Sequence, residues 1–133
     1  MSGRSKELVP VGQVFEIFPG RHGYSYFGIT VVDNPFPAHC ELVFRPTGSD
    51  GTKDIRLKAA TIEIERQRTN LAKPGDSCAI CPAEVPEVLP EIGWQVLVLA
   101  ADADSARYTP QALTARPIVP EEVAKLGQHR CKG

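Results

Sequence analysis

The densest apolar stretch of the chain lies in residues 93–101 (GWQVLVLAA), which open on a glycine and end against Asp102 and Asp104. After Gln95 the run is rich in Val and Leu and has no polar interruption, as expected of a strand covered on both faces rather than wetted on one. It is assigned as the central strand. The segments before it are shorter and half polar. Residues 13–18 (QVFEIF) place Phe15 and Ile17 on one face, and residues 24–32 (YSYFGITVV) place Phe27, Ile29 and Val31 on one side. Between them the run Pro19-Gly20-Arg21-His22-Gly23 is a compact turn signal, so the pair predicts a β-hairpin. Gly28, in mid-strand, marks a bulge or a close backbone approach.

A second hairpin follows from residues 39–45, where Cys40, Leu42 and Phe44 alternate with the outward Glu41 and Arg45. The turn at residues 47–51 then leads into residues 54–58, with Ile55 and Leu57 inward. Residues 61–65 alternate Ile62 and Ile64 with Glu63 and Glu65. The five-residue step from Leu57 to Ile62 breaks the period, which places a bulge or turn at Ala59-Ala60 or else makes residues 57–68 a helix. The β-branched content favours a strand.

Prolines divide the rest. Pro35 and Pro37 make residues 33–37 a loop, and Pro74, Pro82, Pro86 and Pro90 make residues 69–92 an extended connection without a long regular element. Val85, Val88, Leu89 and Ile92 are expected to pack that connection against the body. Residues 102–108 read as a polar turn and residues 111–115 as a single helical turn after Thr109-Pro110. Residues 119–127 (VPEEVAKLG) carry the clearest helix signature: proline at the start, acids in the first turn, lysine and glycine at the end. These elements predict an α+β protein, mostly antiparallel β, forming a small β-barrel or sandwich of about six strands with one short C-terminal helix. The expected organisation is a flexible tail over residues 1–9 and a single β-rich domain over residues 10–133.

Composition narrows the setting. The chain has 133 residues, 42% hydrophobic and 23% charged, enough to bury a core in one domain without staples. No window approaches the roughly 18 apolar residues of a membrane span. The start, MSGRSKELVPVG, lacks the apolar core of a secretory signal, so a cytoplasmic location is expected. With 15 basic and 16 acidic side chains the formal net charge is −1, which offers no global field for a polyanion and makes nucleic acid an unfavoured partner.

Two groups of residues carry candidate chemistry. Cys78-Ala-Ile-Cys81 places two thiols three positions apart, half of a zinc site or a small redox disulfide. The missing ligands would have to come from His39-Cys40 or from His129 and Cys131, far away in the sequence. Inert, packed thiols are the leading reading, so no cofactor is expected, with zinc on Cys78 and Cys81 as the metal alternative. The first hairpin supplies the second group. Tyr24 and Tyr26 share the face opposite Phe27, close to Arg21 and His22 in the turn. Rings beside a base suit a planar or cationic ligand, while packing against a second subunit is the competing use. The layout of residues 12–34 (GQVFEIFPGRHGYSYFGITVVDN) is similar to the opening of MazF/PemK-type toxin ribonucleases, which implies a small barrel and carries no functional residue across. The resulting expectation is a small β-rich binding or protein-interaction module that self-associates, with Arg21, His22, Tyr24 and Tyr26 as ligand residues and a small molecule or protein as partner. The alternative is a small nuclease-like or other barrel enzyme using the Arg21/His22 loop.

Overall fold

The computed structural model describes residues 7–19 and 25–114. Its first strand, β1 (Leu8–Pro19), runs antiparallel to β2 (Ser25–Val31), as the aromatic and β-branched pattern predicts. Then follow β3 (Phe36–Pro37), β4 (Glu41–Arg45), β5 (Ile55–Ile64), β6 (Gln67–Thr69), β7 (Leu71–Ala72), β8 (Ser77–Pro82) and β9 (Gln95–Leu99). The helix α1 (Ala100–Arg107) and the short β10 (Leu113–Thr114) complete the described chain. Strand order β5-β4-β9-β1-β2-β8, closed by a β8–β5 pairing, makes a six-stranded antiparallel barrel. Every neighbouring pair in that ring is antiparallel, so closure removes the sheet edges that would otherwise have to be protected.

β9 lies between β4 and β1, the place expected of residues 93–101. Val96 and Val98 face the interior, fully buried, and the outward Leu97 is still only 5% exposed opposite the buried Val43. The barrel is filled by Val11, Val14, Phe27, Ile29, Leu42, Phe44, Ile62 and Ile80, with the Phe27 and Phe44 rings 5.6 Å apart and tilted by 47°. Each such side chain contributes about 1.5–3 kcal/mol of burial. Long β5 serves three neighbours: its first half pairs with β4, and its second half with β8 on one side and β6 on the other. The register shift falls between Ala59 and Thr61, at the break in the sequence period.

One end of the barrel is plugged. The connections bearing β3, β7 and α1 gather there, and Phe36, Ala72 and Ala103 join the main core. α1 corrects the expected polar turn at residues 102–108. Its buried face consists of Ala100, Ala103 and Ala106, a stripe of small residues too weakly apolar to be conspicuous beside Asp102, Asp104 and Arg107. Asp102 in the first turn and Arg107 in the last suit the helix dipole. Arg107 also donates to Asp104 and to Asn34 at 2.6 Å each, tying the helix to the loop before β3.

Other expectations are corrected. Leu8 and Val9 pair with Leu99 and Val98, so the ordered body begins before residue 10. Phe15 and Ile17 do not share a face, because the β1–β2 register shifts between Val14 and Glu16 and leaves Phe15 as the extra residue. Residues 113–114 form a strand against β6 where a helical turn was expected. In residues 69–92 the prolines do leave room for a regular element: the six-residue β8 begins after Pro74 and ends on Pro82. Val85, Val88, Leu89 and Ile92 are 44–63% exposed rather than packed down. The helix expected at residues 119–127 lies outside the described residues.

Candidate functional site

Of the residues expected to bind a ligand, Arg21, His22 and Tyr24 lie outside the described residues. Tyr26 is half-buried on the outer face of β2, opposite to the fully buried Phe27 and Ile29, as the alternation requires. The next outward positions on β2 are Gly28 and Thr30. Gly28 has no side chain because the ring of the bulged Phe15 lies over it: a Cβ at Gly28 would stand 2.7 Å from Phe15 Cζ. The ring remains 43% exposed. The outer face of the hairpin therefore presents an aromatic surface running from Tyr26 to Phe15.

The same face continues into a polar half. Gln13 sits directly opposite Thr30 on β2 and opposite Gln95 on β9, and Gln95 opposite Arg45 on β4. This row borders a depression of about 380 Å³, lined by Gln13, Thr30, Asp33, Thr47 and Gln95. Both glutamines are exposed, and among the described residues nothing engages their amides. Thr47 is held in place by donating to the Gly93 carbonyl at 3.0 Å. Arg45 adds little field of its own, since its guanidinium donates two hydrogen bonds to Asp54, at 2.9 and 2.8 Å. That pairing holds the Asp54 carboxyl below its ordinary range and raises the Arg45 guanidinium. The acids left on this face are Glu16, opposite Gly28, and Asp33. The described part of the face is thus an open surface of two rings, Tyr26 and Phe15, several neutral hydrogen-bonding groups and two carboxylates.

Tyr26 lies on the outer face of β2 as the sequence pattern expects, whereas Phe15, Gln13, Thr30 and Gln95 are not singled out by the sequence as sharing that face. The two-residue spacing of Phe15 and Ile17 predicts one shared face, which the bulge between Val14 and Glu16 invalidates. Gln13, Thr30 and Gln95 come from three strands, and only the register brings them into line.

The cysteine pair is not a chelating pair. Cys78 and Cys81 lie on one strand three positions apart, hence on opposite faces and about 10 Å apart along the chain. Cys78 belongs to the barrel core, facing Ile29, whereas Cys81 faces Thr61 on the outer side. A zinc ion needs each sulfur about 2.3 Å away, which this placement does not allow. Cys78 is a free thiol, pushed up to about 12 by burial and then by Asp76; Cys81 is in a disulfide. Cys40 is also a free thiol inside the barrel, raised to about 12 by burial and then by Asp102. Among the described residues no three His, Cys, Asp or Glu side chains gather as a metal site, and no helix is long and apolar enough to cross a membrane.

In comparisons with known proteins, no protein-family model matches the chain and no curated protein matches it. The class defined by the coordinates is thus the six-stranded antiparallel barrel itself, closed by a helix at one end.

Proposed function

We propose that this barrel is a small binding and interaction module, which takes a small neutral or cationic ligand on the outer face of β1, β2 and β9 and self-associates. The observation that carries the reading is the alignment of Gln13, Thr30 and Gln95 beside the exposed ring of Phe15. A flat apolar group stacks on such a ring, and the amides and hydroxyl fix its polar edge. Glu16 and Asp33 favour a cation over a phosphate, which agrees with the overall charge of −1 and disfavours nucleic acid. Arg21, His22 and Tyr24, which lie in sequence between β1 and β2, remain part of the proposed site. Self-association is supported by Val85, Val88, Leu89 and Ile92, four exposed apolar side chains in one connection that a second copy would cover. A cytoplasmic setting stays part of this reading.

The test is a thermal-shift screen comparing planar amines, neutral heteroaromatics and nucleotides, alongside light scattering from about 5 to 200 μM. Planar amines are expected to raise Tm by about 2 °C or more at millimolar concentration, an effect lost in Phe15→Ala and Gln13→Ala. The mass is expected to rise to that of a dimer and to return to the monomer in Val88→Asp. Stabilisation by nucleotides alone would overturn the ligand class, and a monomer throughout the range would overturn self-association.

A further inference from the structure

The seam that closes the barrel does not run the full length of β5. β8 pairs with β5 between Ala59 and Glu63, and the last link at that end is the hydrogen bond from the Ala83 N–H to the Lys58 carbonyl. Backbone groups of successive residues point to opposite sides of a strand. Ala59 bonds back to His39 and Cys40 on the β4 side, whereas Lys58 points away from β4. Arg56, two positions before Lys58, therefore also turns its N–H and C=O away from β4, and among the described residues nothing meets them. This short free edge forms one side of a groove of about 410 Å³, and the connection after β8 forms the other. Ile55 and Leu57, half-buried against the core, and the exposed Val85 and Val88 give the groove an apolar lining. An unpaired strand edge beside exposed apolar side chains is a template for another chain.

Charge selects the occupant. The polar side chains of the edge are basic, Arg56 and Lys58, whereas residues 83–92 carry three acids, Glu84, Glu87 and Glu91, and no base. Among the described residues Lys58 and these three acids have no ion-pair partner, and Arg56 has Glu41 at 3.1 Å, a wet contact of little strength. We infer that the free edge of β5 receives the 83–92 connection of a second copy of this chain and offers its own connection in return, through two equivalent contacts related by a twofold axis. The inference rests on the self-association proposed above and adds the surface that receives the exposed valines.

Both halves of the contact lie on one face of the chain, as a twofold interface requires. Docking covers Val85 and Val88 of both copies and sets the acids of each connection along Arg56 and Lys58 of the other chain. The N–H groups of Val85, Glu87, Val88 and Leu89, which bond to nothing among the described residues, are donors for the open Arg56 carbonyl. Pairing the two β5 edges directly is disfavoured, because it opposes Arg56 and Lys58 of one chain to the same bases of the other.

The test is a charge swap in the full-length chain, with Arg56→Glu/Lys58→Glu as one variant and Glu84→Lys/Glu87→Lys as the other. Each variant alone should dimerise at least about tenfold more weakly than the native chain by light scattering, since both equivalent contacts become repulsive. An equimolar mixture should regain native affinity and appear in native mass spectrometry as the heterodimer, because in that pair both contacts are attractive again. Rescue in the mixture also shows that both variants are folded. Variants that dimerise as the native chain does would overturn the groove while leaving self-association intact, whereas a native chain that stays monomeric would overturn both. Two weakened variants without rescue in the mixture would overturn the reciprocal contact. Tighter pairing of the Arg56→Glu/Lys58→Glu chain with the native chain than with Glu84→Lys/Glu87→Lys would reveal direct β5–β5 pairing and overturn it as well.

Discussion

Two glycines on neighbouring strands, Gly12 and Gly28, illustrate how the same residue type is required to different degrees. A Cβ at Gly12 would collide with the carbonyl oxygen of Thr30, a backbone atom fixed by the β1–β2 ladder. At Gly28 the obstacle is the end of the Phe15 side chain, 43% exposed and able to rotate away. Gly12→Ala should accordingly cost about 3 kcal/mol or more, while Gly28→Ala should stay within about 1 kcal/mol; urea denaturation compares them directly. Equal losses would show that the Phe15 ring is held as firmly as the backbone. Gly28 could be flagged in the sequence because it interrupts a strand pattern. Gly12 could not be, since its obstacle is 18 positions away and becomes a neighbour only through pairing.

At the level of elements, what was legible depended on apolar contrast. The hairpins β1–β2 and β4–β5 and the strand β9 follow from alternation or from an unbroken apolar run, and the structure keeps them. β8 was hidden by the prolines around it, and α1 by the small size of its buried alanines. The β5–β6 hairpin was hidden for a different reason: its two central residues are Glu65 and Arg66, at φ +52° and +66°. A two-residue turn with both φ angles positive is normally built from Asn and Gly. Holding side-chain-bearing residues in that region costs about 1–2 kcal/mol each. Arg66→Gly should thus stabilise the protein, by about 1 kcal/mol after the entropy that glycine adds to the unfolded chain. A raised urea midpoint with an unchanged m value is the expected outcome, and a lowered one would mean that Arg66 makes a contact outweighing its strain.

On the scale of the whole molecule, closing the sheet into a barrel places Cys40 and Cys78 in a common apolar interior, and this couples stability to alkaline pH. Both thiols are pushed from an ordinary 9.0 to about 12, mainly by burial and secondarily by Asp102 and Asp76 respectively. In the folded state they stay protonated where the unfolded chain has already released those protons. Between about pH 9 and 12 the unfolded state binds fewer protons, so stability must fall as pH rises, whereas below 9 the full contribution is retained. Each thiol can contribute up to about 1.4 kcal/mol per pH unit. By pH 10.5 the two together would remove up to about 4 kcal/mol, a large part of the stability of a domain this size. Lysines and tyrosines titrate in the same range, so the comparison is between slopes: urea unfolding at pH 8 and 10.5 for the native chain and for Cys40→Ala/Cys78→Ala. The variant starts less stable because two buried sulfurs are lost, yet its free energy should decline less steeply. Parallel slopes would mean that the interior admits water or hydroxide to these thiols, and the barrel could not then be as closed as its strand pairing makes it.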